Sequence, residues 1–229
     1  MTKRQKPPKY SWAYVAVDIV VLTVRDRRLQ VMAIRRGRKP GLGGLALPGG
    51  FVHLDEDLET AARRELREET GLEVDFLEQV KTYGAPDRDP RNRTFGVLYL
   101  AVMPNLPEGA AGTDADDAQW IPVDELLATD LPFDHHDMLV DALERARAKL
   151  EYSPIAASFC RPTFTIGQLR QVYEIIWGVG LDPANFSRKT RSVDDFLVET
   201  GDTVSEGPGR PARTYTVGSA TVLNPPINR

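Results

Sequence analysis

The segment Gly50–Leu72, which reads GFVHLDEDLETAARRELREETGL, decides the fold of the first part of the chain. Its fixed positions follow the pattern G-x5-E-x7-R-E-U-x-E-E-x-G-U, in which U is a bulky aliphatic residue and x is any residue. At average residue usage, such a pattern would arise by chance about once in 10⁸ windows. The segment is therefore a specific motif. Its fixed residues are Gly50, Glu56, Arg64, Glu65, Glu68, Glu69 and Gly71.

The same segment carries the signals of an amphipathic helix. Asp57 is a suitable N-cap, Gly71 is placed to end the helix, and apolar residues recur between them at helical spacing. On this helix Glu65, Glu68 and Glu69 stand at i, i+3 and i+4, so their carboxylates share one face and repel one another. Such a face either is a solvated acidic surface or binds a hard divalent cation, and the complete motif favours the cation.

In its fixed positions the segment resembles the Nudix box. The resemblance implies an α/β fold, an α/β/α sandwich with a mixed sheet, in which a loop–helix–loop site cleaves nucleoside diphosphates linked to another moiety. It also implies that Mg²⁺ or Mn²⁺ binds there, clamps the pyrophosphate and lowers the pKa of an attacking water. Arg64 can tether Glu68, and Glu56 has a supporting role. The residues implied are Gly49 (through its main-chain carbonyl), Glu65, Glu68 and Glu69 as metal ligands, and Glu56, Arg64 and Glu68 as catalytic residues.

The general base cannot be identified from the sequence. Nudix enzymes often draw it from a later loop, so the resemblance makes Asp114, Asp116 and Asp117 candidates, although most loop aspartates simply contact water. His135 and His136 have no third nitrogen or sulfur ligand nearby in the sequence. We interpret the two histidines as packing or capping residues rather than metal ligands.

The composition is that of a globular protein with room for two domains. Of 229 residues, 41% are hydrophobic and 27% are charged. No apolar run approaches the length of about 18 residues that a membrane helix needs. We expect residues 1–11 to be a disordered basic tail, and because they lack the apolar stretch of a signal peptide we expect a cytoplasmic protein. The net charge of −4 argues against nucleic-acid binding by bulk charge. Cys160 has no partner for a disulfide, and we expect it to be buried.

Apolar runs, the first of them rich in β-branched residues, predict strands on both sides of the box, followed by a helix with apolar residues on one face. Residues 12–150 should form this first domain, and the Pro-containing breaks in residues 151–162 predict a linker. The predicted strands are Tyr14–Val24, Leu29–Ile34, Phe76–Tyr83, Thr94–Val102 and Gln119–Pro122, and the predicted helix is Asp137–Leu150.

Residues 163–229 predict a small α+β domain. Thr165–Gln168 is a capping-box sequence that opens a helix, and Asp182 opens a second helix that we expect to run to about Thr200. The Gly- and Pro-rich segment Glu206–Arg213 predicts the tip of a hairpin. This layout is that of a winged helix-turn-helix, whose second helix enters the major groove of DNA. A short helical pair with a hairpin is also a common protein-interaction module.

The basic residues of this domain cluster on the second helix and the hairpin. Residues 151–229 contain eight Arg or Lys and eight Asp or Glu, so the domain as a whole is neutral. Contacts with DNA must therefore come from the local cluster. The residues we expect to contact DNA are Thr165, Asn185, Ser187, Arg188, Lys189, Arg191 and Arg210.

Further stretches extend the resemblance over nearly the whole chain. They are PDRDPRNR at Pro86–Arg93, LPFDHHDMLVDALERARAKLEYSP at Leu131–Pro154, and FTIGQLRQVYEIIWG, DPANFSRKTR and GRPARTY near the C-terminus. The chain resembles the bacterial Nudix-related transcriptional regulators called NrtR, which repress genes of NAD biosynthesis and salvage and respond to ADP-ribose. The resemblance implies a homodimeric repressor that binds operator DNA and senses ADP-ribose or a related NAD metabolite.

Many such regulators have a decayed box, whereas every fixed position is present here. The alternative function is therefore that of a metal-dependent ADP-ribose pyrophosphatase whose C-terminal module serves assembly, or of a bifunctional regulator and hydrolase. ADP-ribose carries a doubly negative pyrophosphate, so its site needs guanidinium donors and a flat apolar surface. Arg35, Arg36, Arg88 and Arg91 are candidates for these contacts, with plain surface charge as the alternative role.

Overall fold

The computed structural model describes residues 12–103, 118–205 and 211–228, whose strands form one sheet of seven strands and one of three. None of the helices in these residues combines the length and apolar character that crossing a membrane requires. The strands are β1 (Tyr14–Arg25), β2 (Arg28–Arg35), β3 (Leu45–Ala46), β4 (Gly49–Phe51), β5 (Leu77–Tyr83), β6 (Thr94–Val102), β7 (Ala118–Pro122), β8 (Phe164–Thr165), β9 (Leu197–Val204) and β10 (Ala212–Val217). The helices are α1 (Leu58–Thr70), α2 (Val123–Leu127), α3 (His135–Tyr152), α4 (Ile155–Ser158), α5 (Ile166–Trp177) and α6 (Pro183–Arg191).

The larger sheet is the mixed sheet of an α/β/α sandwich. Its main path runs β3-β2-β1-β6-β5, while β4 pairs with β1 and β7 pairs with β2. β1 and β6 are parallel, and the other pairs are antiparallel. Because successive residues of a strand face opposite sides of the sheet, Val17 and Ile19 pack in the core with α1, whereas Val20 packs in the core with α3. This architecture confirms the predicted fold class.

The box helix α1 begins and ends where its local sequence signals predict. Asp57 Oδ1 accepts a hydrogen bond from the Thr60 amide at 2.8 Å. Gly71 adopts a φ of 69°, in the left-handed region that favours glycine, and its amide donates to the Arg67 carbonyl. Leu66 is buried against the sheet. The helix is thereby held at both ends while its acidic face stays near the β4 backbone.

The smaller sheet, in the order β8-β10-β9, packs with α5 and α6 as a winged helix. Thr165 and Gln168 form the predicted capping box of α5, with N···O distances of 2.9 and 3.1 Å. Tyr173 on α5 contacts the rings of Trp177 and Phe186 edge to face, with centroid distances of 4.8 and 5.2 Å. These contacts fix α6, the predicted DNA-reading helix, on the domain core.

Helix α6 is shorter than predicted. It ends at Arg191 rather than near Thr200, and Leu197–Val204 is a strand that pairs antiparallel with β10. Asp195 has a positive φ of 56°, which is incompatible with a continuing right-handed helix. Phe196 is buried, and it lies in the turn that precedes β9. The prediction was wrong because apolar residues in the turn and the strand imitated a helical stripe.

The segment predicted as a linker, residues 151–162, packs onto the C-terminal core. It contains the end of α3 and all of α4, and Ala156 and Cys160 are buried in the same cluster as Leu150. The Tyr173 hydroxyl of α5 donates to the Leu150 carbonyl at 3.1 Å. Helix α3 thus extends from the first domain into the core of the second.

Candidate functional site

Arg64 joins the carboxylates of the box, and we call Glu56, Arg64, Glu65, Glu68 and Glu69 the box centre. The Arg64 guanidinium donates to both carboxylate oxygens of Glu56 at 2.7 and 3.0 Å. Its Nη1 also donates to Glu65 at 2.7 Å and to Glu68 at 3.1 Å. These bonds from Arg64, followed by one from the His53 amide, lower the pKa of Glu56 to about 2. Glu56 therefore stays ionised and is better suited to hold Arg64 than to exchange protons.

Glu69 lies on the other side of the box centre, against the β4 backbone. Its Oε2 accepts a hydrogen bond from the Gly49 amide at 2.8 Å. Burial raises the pKa of Glu69 to about 7, although the bond from Gly49 opposes the shift. A Cβ on the neighbouring Gly50 would lie only 2.3 Å from the Glu65 carboxylate. A side chain at position 50 would therefore displace the Glu65 carboxylate from this arrangement.

The box centre has the donor chemistry of a hard divalent cation site, since its carboxylates and the Gly49 carbonyl offer only oxygen. Within the described ranges, however, no group of three or more His, Cys, Asp or Glu side chains is gathered at metal-binding distances. Glu65 and Glu68 contact Arg64, whereas Glu69 contacts the Gly49 amide. The residues fit Mg²⁺ or Mn²⁺ chemically, and Glu65 and Glu68 each bond Arg64 through a single oxygen, Oε1 and Oε2 respectively.

A cleft beside the box, which we call the ligand cleft, is lined by Arg36, Arg88, Arg91, Phe51 and Phe133. The Arg91 guanidinium carbon lies 5.6 Å from the Phe51 ring centroid and 5.4 Å from that of Phe133. The Arg36 guanidinium lies 4.9 Å from the Phe133 ring centroid. The cleft thus combines aromatic rings with guanidinium groups that contact them, and offers planar surfaces to a base and donors to phosphates.

A buried polar network forms the floor of the ligand cleft. Arg88 donates to both oxygens of Asp134 at 2.6 and 2.8 Å and lies 3.6 Å from Asp18 Oδ2. His135 Nδ1 accepts from the Leu47 amide at 3.1 Å, which leaves its proton on Nε2, 3.4 Å from Asp18 Oδ1. Asp18 Oδ2 is buried and makes no hydrogen bond to any residue that the structure describes. This position of His135 agrees with its interpretation as a packing residue.

Sequence reasoning missed Asp18 and Asp134. The only available signal for Asp18 was a charged residue inside the apolar run YVAVDIVVLTV. Of the predicted ligand arginines, Arg35 is not in the cleft, because its side chain is exposed and donates to the Gly43 carbonyl at 2.7 Å. His136 is exposed on the first turn of α3. The predicted tail 1–11, the base candidates Asp114, Asp116 and Asp117, and Arg210 lie outside the described residues.

Helix α6 presents an exposed basic face away from its domain core. Asn185, Arg188 and Arg191 are exposed, while Phe186 and Thr190 on the opposite face are buried. Arg188 donates to Asn185 at 3.3 Å. The exposed residues recur at i, i+3 and i+6, so they lie along one side of the helix, as a helix that reads a groove requires.

Three other residues predicted to contact DNA have different surroundings. Ser187 is only half-buried, beside the exposed face of α6. Lys189 donates to the Asn228 carbonyl at 3.1 Å, so its ammonium group faces the C-terminal segment. Thr165 needs a correction, because it is 2% exposed and its hydroxyl caps α5, a structural role that leaves no surface for DNA. Arg213 on β10, which pairs with Glu199 at 2.8 Å, lines a cleft between α6 and the wing.

Comparison with known proteins identifies both halves of the chain. The NUDIX domain profile matches residues 14–142, and the NrtR DNA-binding winged helix domain profile matches residues 157–217. The ADPR responsive transcriptional repressor NtrR of Acinetobacter baylyi is 35% identical over 208 residues, which are 90% of this chain and 82% of that protein. The chain belongs to the NrtR family. The family predicted from the motifs is thereby confirmed.

Similar proteins include an NrtR structure with DNA and another with ADP-ribose. The match to Shewanella oneidensis NrtR complexed with a 27mer DNA covers 89% of this chain and 93% of the Shewanella chain, at 32% identity and a TM-score of 0.74. The match to the NUDIX domain of the same Shewanella protein, complexed with ADP ribose, covers 64% of this chain and 99% of the Shewanella domain, at 32% identity and a TM-score of 0.54. The Nudix half is also similar to the ADP-ribose pyrophosphatase of Methanocaldococcus jannaschii. The two are 35% identical over 127 residues, which make up 56% of this chain and 71% of that protein.

Proposed function

We propose that this protein is a transcriptional repressor that binds operator DNA through α6 and the wing, and that releases it when ADP-ribose binds in the ligand cleft. The proposal rests on one observation above all: a cleft of aromatic rings and guanidinium groups and an exposed basic helix are joined in one chain by α3. As in the family that the chain resembles, its targets are genes of NAD biosynthesis and salvage.

The ligand cleft suits both ends of the ADP-ribose chemistry. Arg36, Arg88 and Arg91 supply guanidinium donors for the two phosphates, and charge-assisted bonds of this kind are among the strongest in proteins. Phe51 and Phe133 supply ring surfaces for the adenine. The ADP-ribose complex of the Shewanella NUDIX domain supports this assignment.

Asn185, Arg188 and Arg191 read the DNA from the exposed face of α6. We propose a homodimer, because helix-turn-helix regulators place two recognition helices on half-sites about 34 Å apart or at multiples of this distance. The complex of Shewanella oneidensis NrtR with a 27mer DNA supports the assignment of DNA binding to this domain.

Hydrolysis of ADP-ribose is a second candidate function, and the complete box favours it. Gly49, Glu65, Glu68 and Glu69 would hold Mg²⁺ or Mn²⁺, which when bound would neutralise the pyrophosphate and lower the pKa of an attacking water. Arg64 would keep Glu56 ordered beside them. The pairing of Arg64 with Glu65 and Glu68 favours sensing as the main function.

The proposed function is tested by measuring binding of the wild-type protein to a labelled duplex of the DNA upstream of its own gene. EDTA in the buffer prevents any metal-dependent consumption of the effector. We expect binding to the duplex but not to a scrambled duplex of equal length, and release by ADP-ribose but not by AMP. Binding that ADP-ribose leaves unchanged would contradict the sensing function, and equal binding to both duplexes would contradict the repressor function.

A further inference from the structure

The carboxylate of Asp134 is wholly committed to Arg88. Both of its oxygens accept bonds from the Arg88 guanidinium, at 2.6 and 2.8 Å, and the Arg88 side chain is 5% exposed. The same guanidinium lines the ligand cleft. A phosphate that binds Arg88 therefore competes directly with Asp134 for the same donors.

Asp134 also occupies the N-cap position of α3 without acting as a cap. Its side chain makes no hydrogen bond to the first amides of the helix, although Asp is among the residues that stabilise helices most at this position. An aspartate freed from Arg88 could accept these amide hydrogens. Asp134 thus has two mutually exclusive partners, one in the cleft and one in the helix.

The turn in front of α3 is held in an unfavourable conformation. Phe133 has a positive φ of 57°, which is rare for a bulky residue and persists only where surrounding contacts enforce it. The Phe133 ring contacts the guanidinium groups of Arg36 and Arg91 in the cleft and the ring of His135 at 5.5 Å, so contacts within the cleft are among those that constrain the turn. A ligand that draws the arginines toward its phosphates would remove this constraint at the residue next to Asp134.

The other end of α3 is bonded to the DNA-binding domain. Arg147 Nε donates to the Ile176 carbonyl at 3.0 Å, and Trp177 Nε1 donates back to the Arg147 carbonyl at 3.0 Å. The Tyr173 hydroxyl donates to the Leu150 carbonyl one turn later. A change at the start of α3 therefore reaches α5, on which α6 is packed, through a continuous helix.

We infer that Asp134 is a positioning residue that couples the ligand cleft to the DNA-binding domain, by holding Arg88 when the cleft is empty and capping α3 when phosphates bind Arg88. The inference rests on the proposed function and assigns its regulation to one side chain. In the DNA-binding state the Arg88–Asp134 pair is formed. In the ligand-bound state Arg88 contacts the phosphates, and α3 gains its cap and shifts with α5.

The test compares full-length Asp134→Ala and Asp134→Asn with the wild type and with Asp87→Ala. Asp87 is exposed in the same loop as Arg88, so its replacement makes the same charge change without touching the pair. For each protein, the coupling factor is the ratio of the ADP-ribose dissociation constants of the operator-bound and the free form, measured in EDTA. Hydrogen exchange of the first amides of α3 is measured with and without ADP-ribose.

We expect a coupling factor of about tenfold in the wild type and in Asp87→Ala, equivalent to about 1.4 kcal/mol. Asp134→Ala should bind ADP-ribose severalfold more tightly, because Arg88 is released, and its coupling factor should fall below about twofold. Asn caps helices well but cannot form the ion pair, so Asp134→Asn should bind operator more weakly than the wild type even without ligand. ADP-ribose should protect the first amides of α3 in the wild type but not in Asp134→Ala.

A wild-type coupling factor retained in Asp134→Ala would overturn the inference and leave the proposed function standing. An operator affinity of Asp134→Asn equal to that of the wild type would overturn it as well, and this second variant decides the matter if Asp134→Ala melts below the assay temperature. Absence of coupling in the wild type would overturn the proposed function together with the inference.

Discussion

The box centre and the ligand cleft use the same chemistry of arginine and carboxylate in opposite proportions. In the box centre one arginine contacts three of four glutamates, which leaves a surplus of negative charge. In the cleft Arg36, Arg88 and Arg91 lie near the carboxylates of Asp18, Asp89 and Asp134, so the charges balance, and two phenylalanine rings also line it. The first arrangement attracts a cation, and the second can exchange its aspartates for phosphates. The balance of charge, rather than the residue types, separates the two sites.

The largest expected effect is on hydrolysis, and it distinguishes binding of the cation at the box centre from binding of ADP-ribose in the ligand cleft. Glu69→Gln should lower any Mg²⁺-dependent hydrolysis of ADP-ribose by on the order of 10³-fold, because it removes a charged ligand of the cation. Binding of ADP-ribose in EDTA should stay within about twofold of the wild type, since calorimetry then measures the cleft alone. Glu59→Gln, on the first turn of α1 and outside the motif, is the matched control. Unchanged turnover in Glu69→Gln would rule out the metal assignment.

The second-largest expected effect is on stability, and it distinguishes Arg88 of the ligand cleft from Arg64 of the box centre. Arg88→Ala leaves Asp18 and Asp134 without their buried cation and should cost about 3 kcal/mol in free energy of unfolding, measured with urea. Arg64→Ala should also destabilise the protein, but Mg²⁺ should recover part of the loss, because the freed glutamates bind it in the folded state. Recovery of Arg88→Ala by Mg²⁺, or none in Arg64→Ala, would break the contrast between the sites.

A third set of arginines sharpens the comparison because it is exposed. The double variant Arg188→Ala, Arg191→Ala strands no buried carboxylate, so its free energy of unfolding should change by less than about 1 kcal/mol. Its operator affinity should fall at least tenfold in a fluorescence anisotropy titration at fixed salt, given about 1 to 3 kcal/mol for each lost base contact. Arg67→Ala, an exposed arginine of α1, serves as the control. Undiminished operator binding would favour a protein-interaction module.

The smallest expected effect tests the aromatic rings of the cleft. Phe133→Leu keeps an apolar side chain but removes the aromatic ring that contacts Arg36 and Arg91. ADP-ribose affinity should fall about three- to tenfold, at the lower end of what stacking of a base on an aromatic ring contributes. Hydrolysis per bound ligand should not change. An equal loss for ribose 5-phosphate, which has no base, would show that the ring does not contact the adenine.

Local signals in the sequence predicted most of the fold. The caps of α1 and α5, the apolar runs of β1 and β6, and the Gly71 helix end each depend on neighbours within a few residues, and all were found where predicted. The predicted end of α6 was wrong because the apolar residues of the turn and of β9 follow a helical spacing. The strand Leu197–Val204 is specified by its pairing with β10 and not by its own pattern. The predicted DNA contact of Thr165 was wrong because its hydroxyl caps α5, and the sequence does not distinguish a capping hydroxyl from an exposed one.

The candidate site was predicted only as far as its motif reaches. The box residues are close in sequence, whereas Arg88 and Asp134 are 46 positions apart and meet only because α3 starts beside the loop after β5. No local pattern could signal this pair, or the nearly complete burial of Asp18. Arg35 and Arg36 illustrate the limit, because Arg35 is the last residue of β2 and Arg36 directly follows it, yet only Arg36 lines the cleft.

The central claim is that ADP-ribose binding and operator binding oppose each other within one chain. The most direct measurement is a calorimetric titration of ADP-ribose, in EDTA, into free wild-type protein and into the same protein saturated with operator duplex. We predict that the operator complex binds ADP-ribose about tenfold more weakly, as linkage requires of a ligand that loosens DNA binding by the same factor. Equal affinities for the free and the operator-bound protein would contradict the account.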